Sequence, residues 1–470
     1  MAGMTAHPEP AAAPAAVAAV LEALGPLLGE RLTTHKAVRE QHGHDESWHS
    51  PALPDAVCFA QTADEVAAIL RCCNAHGVPV LAYGVGTSIE GQVIAERGGL
   101  CVDLSRMDAI RAVRPDDMDA TVEAGVTRTA LNAHLRDTGL FFSVDPGADA
   151  SLGGMASTRA SGTNTVRYGT VRDNVLSLTA VMPDGTVVRT GGRARKSAAG
   201  YDLTHLLIGA EGTLGIITEL TVRLHGLPEA VCAATVVFAD VAGAVDAVIA
   251  SIQHGLPMAR IELLDELSMQ AVNRHNGLAH AEKPTLFLEF HGSAAAVEAQ
   301  VATMGELCRE FGGSDFAWAT RAEERSALWA ARHAAAYASK QLRPGRDFHA
   351  TDICVPISRL AEAIEAAQAD VAELGLTAPL FGHVGDGNFH LVVVLDRHDP
   401  AEVAALDTLN ARLISRALAV GGTCTGEHGI GVGKRDYLRD EHGAGVDVMR
   451  AIKQALDPNG IMNPGKLLPD

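Results

Sequence analysis

The stretch from Phe381 to Leu395 constrains its own fold more tightly than any other part of the chain. Two apolar runs, Ala378-Pro379-Leu380-Phe381 and Leu391-Val392-Val393-Val394-Leu395, read as strands. Asp386-Gly387 between them is the strongest short hairpin signal a sequence offers. With those two residues as the loop, His383 and His390 stand opposite each other on one face, roughly 5 Å apart at Cβ. That separation suits two ligands of one metal ion; the plain alternative is two polar residues on a solvated hairpin. A spacing of seven also suits a helix, but Gly385 and Gly387 argue against one there.

A second stretch shifts the balance toward a metal. Gly421-Gly422-Thr423-Cys424-Thr425-Gly426-Glu427-His428-Gly429-Ile430-Gly431 is a glycine-dense loop carrying an adjacent carboxylate and imidazole. Glycine lets backbone approach a ligand closely, and side chains on such loops stand outside regular structure. Two histidines and one carboxylate leave positions open for substrate, and zinc, manganese and iron all suit them. Glu427 is read as the third ligand, leaving His428 to act as a base.

At 470 residues the chain is too long for one compact core, so two or three domains are expected. No apolar run is long enough to span a bilayer, and a net charge of -19 argues against nucleic acid or anionic lipid as partners. Eight cysteines with no C-x-x-C pair indicate a reduced chain. The Ala- and Pro-rich N-terminus shows neither the cationic start of a signal peptide nor the arginines of a transit peptide; it reads as a frayed lead into a helix near Val17 to Leu28. Together these give a cytoplasmic location, at most peripheral to the inner face of a membrane.

Along the chain, Ala56 to Ala60 is a strand, and Thr62 with Glu65 makes a capping box for a helix running to about Ala75. Val78 to Tyr83 then leads into Gly84-Val85-Gly86-Thr87-Ser88, whose N–H groups can converge on an anion. Its glycine spacing is neither a Rossmann nor a Walker A fingerprint, and a simple turn is the competing reading. Residues 145–169 form a second segment of glycines, hydroxyls and small residues, suited to a long diphosphate-bearing cofactor. Strands follow at Val175 to Met182 and Val187 to Thr190. From about residue 231, strands such as Ala233 to Phe238 and Thr285 to Phe290 alternate with alanine-rich helices such as Ser358 to Gly375. That pattern predicts an antiparallel sheet with helices on one face.

Taken together, the loop 84–88, the segment 145–169, the hairpin 381–390, Gly426-Glu427-His428-Gly429 and Asn463-Pro464-Gly465-Lys466 resemble the FAD-dependent oxidoreductases of the vanillyl-alcohol oxidase type. The branch they resemble acts on D-2-hydroxy acids and includes cytochrome-type D-lactate dehydrogenases, glycolate oxidase subunits and D-2-hydroxyglutarate dehydrogenases. The resemblance spans roughly residues 50–470. It implies an α+β flavoprotein: a helical lead-in (1–50), an FAD-binding domain (51–228), a ferredoxin-like substrate domain carrying the metal site (229–430), and a C-terminal segment (431–470) returning to the FAD domain.

By the same resemblance, Gly84, Val85, Gly86, Thr87 and Ser88 cradle the FAD pyrophosphate. Pro146, Gly147, Gly153, Gly154, Ser157, Gly162 and Thr163 line the cofactor. Glu211, Gly212, Ile216 and Ile217 lie toward its adenine half and ribose, and Asn463 belongs to the tail that meets it. No histidine occurs between residues 77 and 133, so FAD is expected to be held without a covalent bond. The metal ligands are His383, His390 and Glu427. His428 takes the substrate hydroxyl proton, and Arg332 binds the substrate carboxylate. Relatives taking 2-hydroxyglutarate have a lysine where this chain has Ala350, which favours a short or apolar side group such as that of lactate; His349 or Arg346 is the alternative second cation.

Two other functions compete: a metal-dependent hydrolase built on the histidines and Glu427, and a non-catalytic flavin-binding protein. The first leaves residues 84–169 unexplained. The second predicts no flavin bleaching by any hydroxy acid. No iron–sulfur or haem motif is present, so electrons pass to a cytochrome, a quinone or an electron-transfer protein; a homodimer is among the open assemblies.

Overall fold

The computed structural model describes residues 13–469, so the frayed lead expected over residues 1–12 lies outside the described residues. The chain divides into two compact units. The first gathers residues up to 160, 170–226 and 427 onward; the second comprises 161–169 and 227–426.

In the first unit, helix α1 (Pro14–Leu28) buries Val20, Leu24 and Leu28. Strand β1 (Ala56–Phe59), helix α2 (Ala63–His76), strand β2 (Val80–Tyr83) and strand β3 (Leu100–Asp103) form a small sheet in which β1 and β2 both pair with β3 in parallel. Parallel strands require crossovers, and α2 carries the chain from β1 across β3 to β2. The expected cap is there, since Thr62 Oγ1 accepts from Glu65 N at 3.2 Å. The reciprocal half of the box is replaced: the Glu65 carboxylate takes the Gln61 N–H and the Arg31 guanidinium. A five-stranded antiparallel sheet follows, ordered Ile110–Arg114, Asp119–Glu123, Ile216–Arg223, Val175–Val181 and Val187–Gly191. Helix α3 (Leu152–Thr158) packs on its long strand, and one apolar cluster unites both layers. The C-terminal tail returns beside β2, where Asn463 N donates to Val80 O.

The second unit is an eight-stranded antiparallel sheet. Its strands are β4 (Ala230–Val237), β5 (Met258–Leu264), β6 (Thr285–Gly292), β7 (Ser314–Ala319), β8 (Asp347–Ala350), β9 (Ile353–Cys354), β10 (Leu380–Gly382) and β11 (Asn388–Leu395). They run in the order β7-β4-β6-β5-β10-β11-β8, with β9 also on β11. The β4-to-β7 half has the spatial order fourth, first, third, second, with helices Val241–Gln253 and Ala294–Glu310 as crossovers, the ferredoxin-like arrangement. Helix α4 (Ala322–His333) packs Trp329 and Ala331 into a cluster with Leu264, Phe287, Phe381 and Val392.

The β10–β11 hairpin forms, but its register differs from the two-residue turn that Asp386-Gly387 predicts. Phe381 pairs with His390 and Leu380 with Leu391, so residues 383–387 all belong to the loop. The His383 carbonyl accepts from Asp386 N at 2.9 Å and Asn388 N at 3.3 Å. The cause is tertiary. Strand β9 pairs Cys354 with Asn388, and Val355 N donates to Gly387 O, which draws the end of the loop toward β9. Gly387 has φ +81°, and a Cβ there would overlap the Val355 carbonyl oxygen. His383 is therefore a loop residue and not the cross-strand partner of His390, yet the two rings stay 5.6 Å apart between centroids.

Candidate functional site

In the first unit the two glycine-rich segments meet. The loop 84–88 leaves the carboxyl end of β2, where ligands bind in parallel α/β sheets. A Cβ on Gly84 would overlap Ser151 Oγ, so the loop passes close to the start of α3. Gly86 has φ +73°, and a Cβ there would strike the Tyr83 hydroxyl. On α3, Gly153 abuts the Ala124 backbone in the same way, and Ser151 caps the helix by accepting from Gly154 N. Gly147 faces open space, with no atom within 4 Å of where a Cβ would lie. Ile216 and Ile217 begin the long central strand with their side chains in the core.

Glu211, expected toward the adenine half of the cofactor, has backbone partners within the first unit. It is 5% exposed, and its carboxylate accepts from Ile430 N at 2.7 Å and Gly431 N at 2.8 Å. It thereby pins the glycine loop that carries His428. Gln92 Nε2 donates to the His428 carbonyl at 2.8 Å, and Asn463 Nδ2 donates to Gln92 O and Glu211 O. Beside them Glu90 faces Lys434 Nζ at 3.1 Å and His428 Nδ1 at 3.8 Å. Two further buried atoms, Asn463 Oδ1 and Lys466 Nζ, have no hydrogen-bond partner among the described residues; Glu96 Oε2, the carboxylate facing Lys466, stands off at 3.6 Å. Burial lowers the Lys466 pKa to about 8. Asn463 Oδ1 is open to a donor and Lys466 Nζ to an acceptor.

Burial pushes the Glu211 carboxyl up to about 7, against the opposing backbone N–H groups. A carboxyl raised above its unfolded value holds its proton more tightly when folded, so its contribution is present at low pH and lost as pH rises through 7. The shift corresponds to about 3 kcal/mol. Replacing Glu211 by glutamine removes this titration. The difference in melting temperature between wild type and Glu211→Gln, both saturated with FAD, should therefore change between pH 5 and pH 8, with wild type losing ground as pH rises. A constant difference would show that Glu211 is ionised throughout.

The second unit holds both histidines. His390, 3% exposed on β11, has its Nδ1 3.0 Å from Thr351 O. His383 Nδ1 lies 2.8 Å from Glu262 Oε1. Each ring is thus oriented through Nδ1 by an oxygen, the arrangement by which proteins fix metal-ligating histidines and present Nε2. Asp352, fully buried, accepts from Asn388 Nδ2 and Thr425 Oγ1, both at 2.7 Å. Arg332, expected at a substrate carboxylate, already has a carboxylate partner: Nε and Nη2 donate to Glu262 Oε2 at 3.0 and 2.5 Å, and the guanidinium lies over the Phe381 ring at 4.7 Å. Two of its five N–H bonds are used in this way.

The expected site residues therefore divide between the units. The loop 84–88, Pro146, Gly147, Gly153, Gly154, Ser157, Glu211, Gly212, Ile216, Ile217, Glu427, His428 and Asn463 belong to the first, and His383, His390, Arg332, Gly162 and Thr163 to the second. Residues 161–169 join the second unit because Arg260 Nε donates to Asn164 Oδ1 and Tyr168 Oη lies 2.7 Å from His291 Nδ1. Sequence reasoning missed Glu262, Glu90 and Gln92. A lone carboxylate within the apolar run of β5 is the signal that could have found Glu262.

Known proteins resemble the chain over almost its whole length. The family described as FAD linked oxidases, C-terminal domain, matches residues 227–467, and an FAD binding domain matches 54–191. The probable mitochondrial D-lactate dehydrogenase of Danio rerio is 52% identical over 97% of this chain and 92% of its own. The mitochondrial D-lactate dehydrogenase [cytochrome] of Arabidopsis thaliana is 44% identical over 96% and 80%. Glycolate oxidase subunit GlcD of Bacillus subtilis is 32% identical over 93% and 94%. Among solved structures, p-cresol methylhydroxylase superposes with a TM-score of 0.80 over 97% of both chains at 19% identity, a likeness of fold. Four relatives are named as mitochondrial, which overturns the cytoplasmic expectation. That expectation rested on the cysteines and on an N-terminus without signal- or transit-peptide features; the free cysteines indicate a reducing compartment without saying which one.

Proposed function

The chain belongs to the FAD-linked oxidases, and on that premise we propose that it is an FAD-dependent dehydrogenase oxidising D-lactate to the 2-oxo acid, with a divalent metal orienting the substrate. The observation that carries this reading is the near-full-length similarity to relatives named D-lactate dehydrogenase. FAD is held without a covalent bond by Gly84 to Ser88, Pro146, Gly147, Gly153, Gly154, Ser157, Gly162, Thr163 and Asn463. The close glycine contacts and the buried Asn463 Oδ1 support it. The metal is held by His383 and His390 with Glu427 as third ligand, a reading supported by the Nδ1 anchoring of both rings.

Bound FAD would supply the hydride acceptor, and a bound cation would supply the charge that lowers the pKa of a ligated hydroxyl. His428 takes the hydroxyl proton, and the Gln92 and Glu211 contacts hold its loop still. Arg332 binds the substrate carboxylate through the N–H bonds that Glu262 leaves to it. Ala350 lies opposite Val392 on β11, two residues from His390 and so on the same face, with Phe381 opposite His390. This apolar surround suits a methyl group. A second carboxylate would need another cation, and Arg346 is paired with Asp396. We assign the electrons to a cytochrome, following the relatives' names.

Anaerobic protein mixed separately with D-lactate, L-lactate, glycolate and D-2-hydroxyglutarate tests the substrate. Fastest flavin bleaching by D-lactate is expected. Faster bleaching by D-2-hydroxyglutarate would move the pocket assignment away from Ala350, and a colourless protein that FAD cannot reconstitute would overturn the flavin reading.

A further inference from the structure

We infer that Glu262 is a positioning residue that ties the metal ligand His383 to the carboxylate-binding Arg332, an inference resting on the metal reading above. Glu262 is fully buried in the middle of β5. Its two oxygens divide the work: Oε1 faces His383 Nδ1 at 2.8 Å, and Oε2 takes both Nε and Nη2 of Arg332. The fold brings them together by register. Leu263 pairs with Gly382 and Leu264 with Phe381 in antiparallel register, so His383, directly after β10, falls opposite Glu262. Arg332 reaches the same carboxylate from the last turn of α4, over Phe381.

A 2-hydroxy acid presents its hydroxyl and carboxylate at a fixed span, and Glu262 fixes both a ligand of the cation that would take the hydroxyl and the guanidinium that takes the carboxylate. A carboxylate accepting from Nδ1–H also sets the tautomer, keeping the Nε2 lone pair for the metal and raising its basicity. Glutamine cannot do both jobs. If its amide oxygen keeps Arg332, its NH2 donates to His383 Nδ1, the ring proton moves to Nε2, and the lone pair for the metal is lost.

The test is Mn(II) binding to the full-length, FAD-loaded protein, followed by electron paramagnetic resonance, beside steady-state kinetics with D-lactate. Glu262→Gln is expected to weaken Mn(II) binding about 10–100-fold and to raise KM more than it lowers kcat. Glu262→Asp keeps the charge with a shorter reach and should fall between wild type and Glu262→Gln. It also carries the test if the glutamine variant fails to fold. Equal Mn(II) affinity in wild type and variants overturns the inference while leaving the metal site standing. A wild type that binds no Mn(II) overturns the metal reading and this inference with it.

Discussion

Alanine in place of His428 is expected to leave FAD bound and to slow flavin reduction by D-lactate about 10²–10⁴-fold, the range that a positioned general base contributes. The loop around His428 is held by its backbone, since Gln92 grips its carbonyl and Glu211 grips the N–H groups of Ile430 and Gly431. Removing the imidazole touches neither anchor, so the loss should be chemical and not structural. Stopped-flow absorbance of the oxidised flavin measures the rate, and the flavin-to-protein ratio after gel filtration checks retention. Unchanged reduction kinetics would remove His428 from the mechanism. Loss of flavin would make it a cofactor-binding residue instead.

The second large effect is expected at His390. Its alanine variant should lose metal by more than the roughly 10–100-fold that a supporting residue costs, because a ligand itself is removed. His390 lies on the buried strand β11 between β10 and β8, and its Nδ1 is the group facing Thr351 O. The variant also leaves a cavity and a carbonyl without that contact, at a cost of about 1–3 kcal/mol. Metal content after exhaustive desalting, read beside the melting temperature, separates the two effects. A folded His390→Ala protein with full metal content would exclude His390 as a ligand.

The sequence was most informative where structure is local. Thr62 caps α2 as its spacing with Glu65 indicates, and the hairpin forms around Asp386-Gly387. It was least informative where a distant partner decides. The pairing of β9 with β11 lengthened the hairpin loop, and nothing within 381–390 announces β9. Glu211 reads as part of a cofactor loop, yet its carboxylate binds backbone more than two hundred residues later. The segment 145–169 reads as one piece, but Asn164 and Tyr168 are taken by Arg260 and His291, so its end belongs to the other unit. Arg332 illustrates the same limit: its sequence suggests a role at the substrate carboxylate, and nothing near it announces its Glu262 partner.

The most direct measurement is the rate of anaerobic flavin bleaching by D-lactate before and after metal removal. The protein is stripped with a chelator, desalted, and then replenished with Mn(II) or Zn(II). Stripped protein is expected to keep its FAD, to be reduced slowly, and to regain its rate when metal is returned. Equal rates in stripped and replenished protein, with metal shown to be absent from the first, would contradict it.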